Sequence, residues 1–122
     1  MPIQSLDHVN VRTANLERMI AWYRDILGLT LGPRPNFSFG GAWLYAGDVA
    51  IVHLVEVSDQ PGMAEQLQLE HFALAGTDKD GFIDKLEANG IPSRLNTLTD
   101  FGITQVNIHD PDGNHIHVDF RD

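Results

Sequence analysis

Alternation of apolar and polar residues marks two stretches near the ends of the chain. Residues 5–12 read SLDHVNVR, and residues 114–120 read NHIHVDF. Successive side chains of a β-strand point to opposite faces, so both stretches are predicted to be strands with one apolar face. In the second stretch, Ile116, Val118 and Phe120 share the apolar face, and His115, His117 and Asp119 share the other.

Two further stretches have helical periodicity. Residues 14–27 carry apolar side chains three or four positions apart, and Gly28 is predicted to end this helix. The apolar stripe consists of Leu16, Met19, Ile20, Tyr23, Ile26 and Leu27. Residues 78–89 suit a second helix, in which Thr77 and Asp80 have the spacing of an N-terminal capping box.

Shorter strands complete the pattern. They are predicted near 29–34, 41–46, 49–57, 69–76, 91–96, 103–109 and 114–121. The order β-α-β-β-β therefore occurs twice, at about 1–57 and 69–122, and a polar linker with a Pro-Gly break joins the copies at 58–68. We expect the two repeats to form one domain over 1–122.

The repeat is also visible in the residues themselves. LDHVNV at 6–11 matches LEHFAL at 69–74 at an offset of 63 residues, and IVHLV at 51–55 matches HIHVD at 115–119 at an offset of 64. Each copy of such a repeat is one supersecondary unit. The predicted fold class is therefore α+β, built from two tandem βαβββ modules.

The amino-acid composition restricts the kinds of partner that the protein is expected to bind. The net charge of −9 argues against nucleic acid or an anionic membrane as the main partner, since both attract basic patches. The lack of cysteine excludes disulfides and thiolate metal ligands. No apolar run reaches transmembrane length and the N-terminus lacks a signal-peptide pattern, so we expect a soluble protein that is cytoplasmic by default.

Four of the six histidines occupy equivalent positions in the two repeats. His8 and His71 share one position in the first strand of each repeat, and His53 and His117 share one in the last strand. Their apolar neighbours point the opposite way, so all four are expected on the sheet face away from the helices. If the modules pair with pseudo-twofold symmetry, the four imidazoles can converge. Neutral imidazole binds zinc, nickel, copper and iron, so the sequence predicts a metal site.

The other two histidines receive a simpler interpretation. A single histidine on a strand is more often a hydrogen-bonded or surface residue than a metal ligand. His109 lies next to a predicted turn at 110–113, and His115 lies near the start of a strand that can twist out to solvent. Only His117 of the His-Ile-His sequence is therefore predicted to bind metal.

The double βαβββ pattern carries two familiar motifs, Trp22-Tyr23 before Leu27-Gly28-Leu29, and DPDGN at 110–114 before the final strand. In these features the whole chain resembles the vicinal oxygen chelate superfamily, which includes glyoxalase I, fosfomycin- and bleomycin-resistance proteins, methylmalonyl-CoA epimerase and extradiol dioxygenases. The resemblance implies cupped mixed sheets around a metal-binding cavity, a small-molecule substrate and a homodimer. The metal positions of the family fall on His8, His53, His71 and His117, and the implied cofactor is one divalent cation, Zn, Ni, Fe or Mn.

One departure from the family affects the chemistry. The position of His117 is usually glutamate in the family, and that of His53 is often glutamate in small glyoxalase I chains. Four neutral ligands leave the full charge on the cation, which makes a stronger Lewis acid. The same change removes the carboxylate that serves as proton shuttle, so no catalytic residue is assigned. Asp119 could orient a ligand imidazole, but a solvated residue at the strand end is the favoured interpretation.

A second set of polar and aromatic residues is predicted to contact substrate. The set consists of Asn10, Arg12, Trp43, Gln105 and Asn107. Strand parity places Asn10 and Arg12 on the face of His8, and a guanidinium there can hold a carboxylate or phosphate. Such a cavity suits a small, oxygen-rich substrate. The alternative for Arg12 is a surface ion pair, and for Trp43 it is packing in the core or at a dimer interface.

Two hypotheses remain open. The first is a metal-dependent enzyme of the vicinal oxygen chelate type, a lyase, isomerase, thiol transferase or dioxygenase, whose cation binds two substrate oxygens. The second is a metal-free binding protein of the bleomycin-resistance type, which sequesters a ligand in the same cavity. The four aligned histidines favour the enzyme.

Overall fold

A computed structural model describes residues 2–62 and 67–122. The chain divides into two compact units, Met1–Met63 and Ala64–Asp122. The first unit contains β1 (Val9–Thr13), α1 (Leu16–Asp25), β2 (Thr30–Gly32), β3 (Gly41–Ala46) and β4 (Val49–Glu56). The second contains β5 (Phe72–Ala75), α2 (Lys79–Ala88), β6 (Arg94–Leu98), a 3-10 turn (Thr99–Phe101), β7 (Ile103–His109) and β8 (His115–Arg121). The predicted α+β class and the repeated βαβββ order are confirmed.

Each unit has a four-stranded mixed sheet with the same topology. The strand orders are β1-β4-β3-β2 and β5-β8-β7-β6. The first strand of each unit runs parallel to the last, and the other neighbours are antiparallel. The registers also correspond, since Val9 pairs with Val52 and Phe72 pairs with Ile116. The last strand of each repeat, which carries His53 or His117, therefore lies between two neighbours.

The apolar faces form the core of each unit. Helix α1 buries Met19 and Tyr23 completely, as its apolar stripe predicts. In the sheets, the alternation of side chains buries Leu44, Val52 and Leu54 in the first unit, and Val106, Ile108, Ile116, Val118 and Phe120 in the second. Each of these larger side chains contributes roughly 1.5–3 kcal/mol when it leaves water. No helix in the described part of the chain is long and apolar enough to span a membrane.

The first strand of each unit begins later than the sequence pattern suggests. The predicted strands 5–12 and 69–76 start at Val9 and Phe72, because the ladders with β4 and β8 start there. Leu6 and Leu69 precede the ladders and are each 77% exposed. Each leucine is separated from the first apolar residue of its ladder by two polar residues, so the alternation already breaks before Val9 and Phe72. His8 and His71 consequently occupy the residue just before each strand.

Two other local predictions also need correction. Helix α2 begins after Asp78, whose carboxylate accepts a hydrogen bond from the backbone N–H of Gly81 at 3.2 Å, so Thr77 is not the N-cap. Carboxylate and hydroxyl side chains are both suitable N-caps, and here the N-cap is Asp78, the residue nearer the helix. The strand predicted at 91–96 begins and ends later, at Arg94–Leu98, in register with β7.

The DPDGN turn fixes the hairpin that presents β8. The buried Asp110 carboxylate accepts hydrogen bonds from the backbone N–H of Asp112 at 3.0 Å and of Asn114 at 2.9 Å. It also accepts one from the Asn114 side-chain amide at 2.8 Å. Gly113 has a φ of +88°, a conformation that favours glycine. The turn therefore sets the register of the two histidines that follow it.

The predicted linker at 58–68 is only partly described, because 63–66 lie outside the described residues. Its first half contacts the unit before it. The Gln60 side-chain carbonyl accepts a hydrogen bond from the backbone N–H of Ala14 at 2.9 Å and one from the Asn15 amide at 3.4 Å. This part of the segment thus packs at the junction between β1 and α1.

Candidate metal and substrate site

The predicted histidine pair of the first unit forms a ring stack. The imidazoles of His8 and His53 lie 3.8 Å apart between centroids, with 11° between their planes. Trp43 lies directly opposite His53 in the β3–β4 register, and its ring stacks on His53 at 4.0 Å and 11°. His53 is buried, and the rings of His8 and Trp43 stack on its imidazole. The unit therefore holds a three-ring stack in which His53 is central.

The predicted pair of the second unit also comes together. The ring centroids of His71 and His117 lie 4.5 Å apart, with the planes tilted by 45°. His117 is buried on β8, whereas His71 is exposed just before β5. Equivalent positions of the repeat thus bring two imidazoles into contact in each unit.

Carboxylates engage one nitrogen on three of these four rings. The Nδ1–H of His8 donates to Asp7 at 2.7 Å, that of His71 donates to Glu70 at 3.0 Å, and that of His117 donates to Asp119. A carboxylate on Nδ1 selects the tautomer that keeps a lone pair on Nε2. Metal-binding histidines commonly have such partners, which orient the ring and raise its basicity. The donor chemistry of these rings therefore fits a divalent cation.

Asp119 takes part in this arrangement, and its favoured interpretation as a solvated residue is wrong. Its side chain is only 16% exposed. It lies two residues from His117 on the same strand face, which is why the two side chains meet.

His53 uses its other nitrogen. Its Nε2–H donates to the backbone carbonyl of Ala50 at 3.0 Å, and among the described residues its Nδ1 has no hydrogen-bond partner. Burial lowers the pKa of His53 below its ordinary value, and the proximity of His8 adds to this effect. His53 is therefore neutral at pH 7, as a metal ligand must be.

The His8–His53 stack limits how the two rings can act together. Imidazole lone pairs lie in the ring plane, and these planes are nearly parallel. Two parallel stacked rings cannot direct both lone pairs at one cation. Joint coordination therefore requires one ring to turn out of the stack. The tilted rings of His71 and His117 are not restricted in this way.

His115 does not turn to solvent as predicted. Its side chain is 18% exposed, and both ring nitrogens face acceptors. Nδ1 lies 2.7 Å from a Glu70 oxygen, and Nε2 lies 2.8 Å from Oδ1 of Asn107. The Asn107 amide donates to the carbonyl of Arg94 at 3.1 Å, which fixes the orientation of Oδ1. His115 contacts residues on both sides because its strand, β8, lies between β5 and β7 in the sheet.

Glu70 connects His115 to His71. Its two carboxylate oxygens each accept from one of these rings, and the hydrogen bonds from His115 and then His71 lower the pKa of Glu70. The ligand atoms of the three residues all lie within 4.8 Å of one another, close enough to hold a cation. This group was not predicted, although Glu70 precedes His71 and strand parity puts His115 on the face of His117. His109 is exposed and stacks on His115 at 5.3 Å.

The predicted substrate residues fall into different environments. Asn10 and Arg12 are exposed on β1, and Arg12 makes no ion pair with any described residue, so the ion-pair alternative is not supported. Asn107 is buried and holds His115, while the half-buried Gln105 accepts a hydrogen bond from the Asn96 amide at 3.1 Å. Trp43 is half-buried against His53.

A further group was missed by the sequence pattern. Arg34, Phe37 and Phe39 lie between β2 and β3, and the guanidinium carbon of Arg34 is 5.0 Å from the Phe37 ring centroid and 5.6 Å from that of Phe39. The Phe37 ring is 6.4 Å from that of Trp43. The spacing of two phenylalanines around one polar residue was the available signal, but in a loop this spacing has no fixed geometry.

Two βαβββ units with a contacting histidine pair in each define the class of protein. The chain belongs to the Glyoxalase/Bleomycin resistance protein/Dioxygenase superfamily, whose family model matches residues 5–118. The predicted family and its glyoxalase-like fold are thereby confirmed.

Similar proteins in the superfamily include enzymes and binding proteins. Glutathione transferase FosA from Serratia marcescens is 28% identical over 91 residues, which are 73% of this chain and 62% of that protein. The chain thus spans less than two thirds of the length of this relative.

Solved structures match over nearly the whole chain. A glyoxalase family protein from Bacillus anthracis is 24% identical, with a TM-score of 0.81 over 98% of this chain and 97% of that one. TnmS3, an antibiotic binding protein from Streptomyces sp. CB03234, is 22% identical, with a TM-score of 0.73 over 100% and 99%. At these identities the likeness shows the fold alone.

Proposed function

We propose that the protein is a divalent-metal-dependent enzyme of the vicinal oxygen chelate type that acts on a small, oxygen-rich substrate. His8, His53, His71 and His117 are the proposed ligands. The observation that carries this proposal is that repeat-equivalent histidines meet in both units. The rings of His71 and His117 are tilted and lie 4.5 Å apart, so they are not held parallel, whereas the stacked rings of His8 and His53, 3.8 Å apart, can ligate together once one of them turns. Two coincident pairs at repeat-equivalent positions are not expected of scattered surface histidines.

The hydrogen bonds of the rings support the same ligand set. His8, His71 and His117 each keep Nε2 for a cation because a carboxylate accepts from Nδ1. An all-imidazole set suits zinc, nickel or iron, whereas manganese prefers oxygen ligands and is a candidate only through the family resemblance. When bound, such a cation supplies a Lewis acid that polarises substrate oxygens.

The residues around the proposed ligands bind the substrate and orient the histidine rings. Arg12 carries a guanidinium with no carboxylate partner in the described part of the chain, so it can bind an anionic substrate group. Asp119 holds the His117 ring, and Asn107 holds the His115 ring. The lowered pKa of Glu70 makes its carboxylate a weak base, so its role is to orient His71 and His115. No carboxylate among the proposed ligands can act as proton shuttle.

The test of this proposal combines metal loading with activity. Untagged protein, purified without chelator, is treated with a chelator and then titrated with each candidate metal by calorimetry. The loaded protein is assayed for thiol transfer, isomerisation, lyase activity and, with iron or manganese, oxygen uptake on catechol-like substrates. Metal binding that raises one of these activities, and its loss in His117→Ala, is the expected result. Failure of the protein to take up any metal would overturn the proposal.

A second candidate function is ligand sequestration without metal chemistry. The stacked His8 and His53 rings favour it, since in this arrangement they offer an aromatic surface and not a shared ligand pair. TnmS3, described as an antibiotic binding protein, has the same fold. Chelator-treated protein that remains folded and binds a planar ligand, with no metal uptake, would support this candidate.

A further inference from the structure

A guanidinium and two phenyl rings form a small cluster in the segment between β2 and β3. The cluster consists of Arg34, Phe37 and Phe39, and we call it the Arg34 cluster. The two phenyl rings stack at 4.8 Å with 12° between their planes, and the guanidinium carbon lies 5.0 and 5.6 Å from their centroids. These distances are within the range of cation–π attraction.

The backbone holds the guanidinium in place. Nη2 of Arg34 donates to the carbonyl of Phe39 at 3.1 Å. A Cβ at position 41 would lie 3.3 Å from Nη2 and would collide with the backbone of Leu54, so Gly41 lets the strand approach the guanidinium closely. The hydroxyl of Tyr45 donates to the carbonyl of Pro33, next to Arg34 in the chain. The cluster is therefore preorganised.

The charge of Arg34 is not neutralised within the described ranges 2–62 and 67–122. Arg34 forms no ion pair there, although the chain has a net charge of −9. Its Nε is buried and has no hydrogen-bond acceptor. A shielded cation without an anionic partner costs free energy, and an anion held beside it gains more than it would in water. The unneutralised charge of the guanidinium, rather than the inaccessible Nε, points to an anion that a ligand supplies.

Aromatic rings connect this charge to the histidine stack. The Phe37 ring lies 6.4 Å from that of Trp43, which in turn stacks on His53 at 4.0 Å. Phe37 is 39% exposed and Phe39 is 45% exposed, so both leave ring surface for a ligand. A run of aromatic surface thus extends from Arg34 to His53.

We infer that the Arg34 cluster and Trp43 form a subsite for a planar aromatic carboxylate. The carboxylate meets the Arg34 guanidinium, and the ring system lies against the aromatic side chains. This deepens the proposed function by naming its substrate class, and the identity of the ligand as a substrate rests on that function. Binding itself needs no metal, because every residue of the subsite lies in the first unit and none is a proposed ligand.

The test is calorimetric titration with 2-naphthoate, its neutral amide 2-naphthamide and its saturated counterpart decalin-2-carboxylate. The wild type is expected to bind 2-naphthoate about tenfold more tightly than the amide, the size of one charge-assisted hydrogen bond. It should also prefer the aromatic acid to the saturated one. Arg34→Gln should bind the acid about tenfold more weakly and lose the preference over the amide. Phe37→Leu should lose most of the preference for the aromatic ring.

Arg18→Gln is the matched control, since Arg18 is exposed on α1, away from the cluster in sequence, and its loss should leave all three affinities unchanged. Failure of the wild type to bind 2-naphthoate, or equal binding by Arg34→Gln, would overturn the inference. The titrations are made on chelated and on metal-loaded protein. Binding without any metal uptake would support the subsite while the proposed enzyme fails, and metal uptake without naphthoate binding would overturn the subsite alone.

Discussion

The indole ring of Trp43 stacks on the imidazole of His53 at 4.0 Å, because the two residues are direct partners in the antiparallel β3–β4 ladder. His8 covers the opposite side of the same imidazole at 3.8 Å. The stack joins a proposed metal ligand to an intrinsic fluorophore. Events at His53 should therefore be visible in the emission of Trp43.

Metal binding by the His8–His53 pair should change the tryptophan fluorescence. One ring must turn out of the stack for both to coordinate one cation, and this alters the contact with Trp43. Zinc added to metal-free protein is expected to shift or change the intensity of the emission. Trp43→Phe keeps only Trp22, on α1, and should lose the response. An equal response from Trp43→Phe would show that the fluorescence change does not arise at the His8–His53–Trp43 stack.

His53 should titrate at a lower pH than an ordinary histidine. Burial lowers its pKa below the usual value of about 6.5. In the unfolded chain His53 takes up a proton as the pH falls below that value, whereas in the metal-free folded chain it resists protonation. Its contribution to stability is thus present above the unfolded pKa and is lost as the pH falls through the folded pKa. NMR titration of the His53 ring proton in the folded protein and in the urea-unfolded chain measures the shift.

The same linkage can be checked by unfolding. The free energy of unfolding of the wild type should decline more steeply with acidification below about pH 6.5 than that of His53→Gln, which has no group to titrate. Parallel curves for the two proteins would show that His53 is not protected from protonation in the fold.

Removal of the carboxylate behind His117 should weaken metal binding without removing a ligand. Asp119 accepts from Nδ1 of His117, and loss of such a partner typically costs 10–100-fold in metal affinity, about the range expected for Asp119→Ala. Calorimetric titration measures the change. Asp84→Ala, on the exposed part of α2, is the control and should bind as the wild type does. An unchanged affinity in Asp119→Ala would exclude His117 as an oriented ligand.

The DPDGN turn should matter for stability. Asp110 is buried and accepts hydrogen bonds from two backbone amides and one side-chain amide. Asp110→Ala leaves these donors unsatisfied, so we expect a loss of about 1–3 kcal/mol or more in the free energy of unfolding. Urea denaturation measures the loss. Asp84→Ala should stay within about 0.5 kcal/mol of the wild type, and a similar value for Asp110→Ala would contradict the structural role of the turn.

Strand parity and the internal repeat predicted much of this molecule. They gave the buried faces of β7 and β8, as at Val106, Ile108 and Ile116, because side-chain alternation in a covered strand is a strict geometric rule. The repeat also singled out the four histidines that form one ring contact in each unit, while the convergence of all four on one cation stays a prediction. Strand starts were less predictable, since Leu6 and Leu69 are apolar like strand residues but precede the ladder and are exposed.

The remaining features depend on contacts that are distant or irregular in sequence. Glu70 reaches His115 only because β5 and β8 are neighbours. Arg34 meets Phe37 and Phe39 through a loop, where no periodicity relates position to direction. The sequence allowed Asp119 to be predicted as a partner of His117, because the two share a strand face. It could not predict that Asp119 is buried, since a residue near the end of a strand can equally face solvent.

On β8, His117 is the proposed metal ligand and His115 is not. The deciding measurement is elemental analysis of untagged wild type, His117→Ala and His115→Ala, each loaded with the same metal and dialysed. We expect about one cation per chain in the wild type, a sharp loss in His117→Ala and retention in His115→Ala. Loss in His115→Ala with retention in His117→Ala would contradict it and would assign the cation to Glu70, His71 and His115.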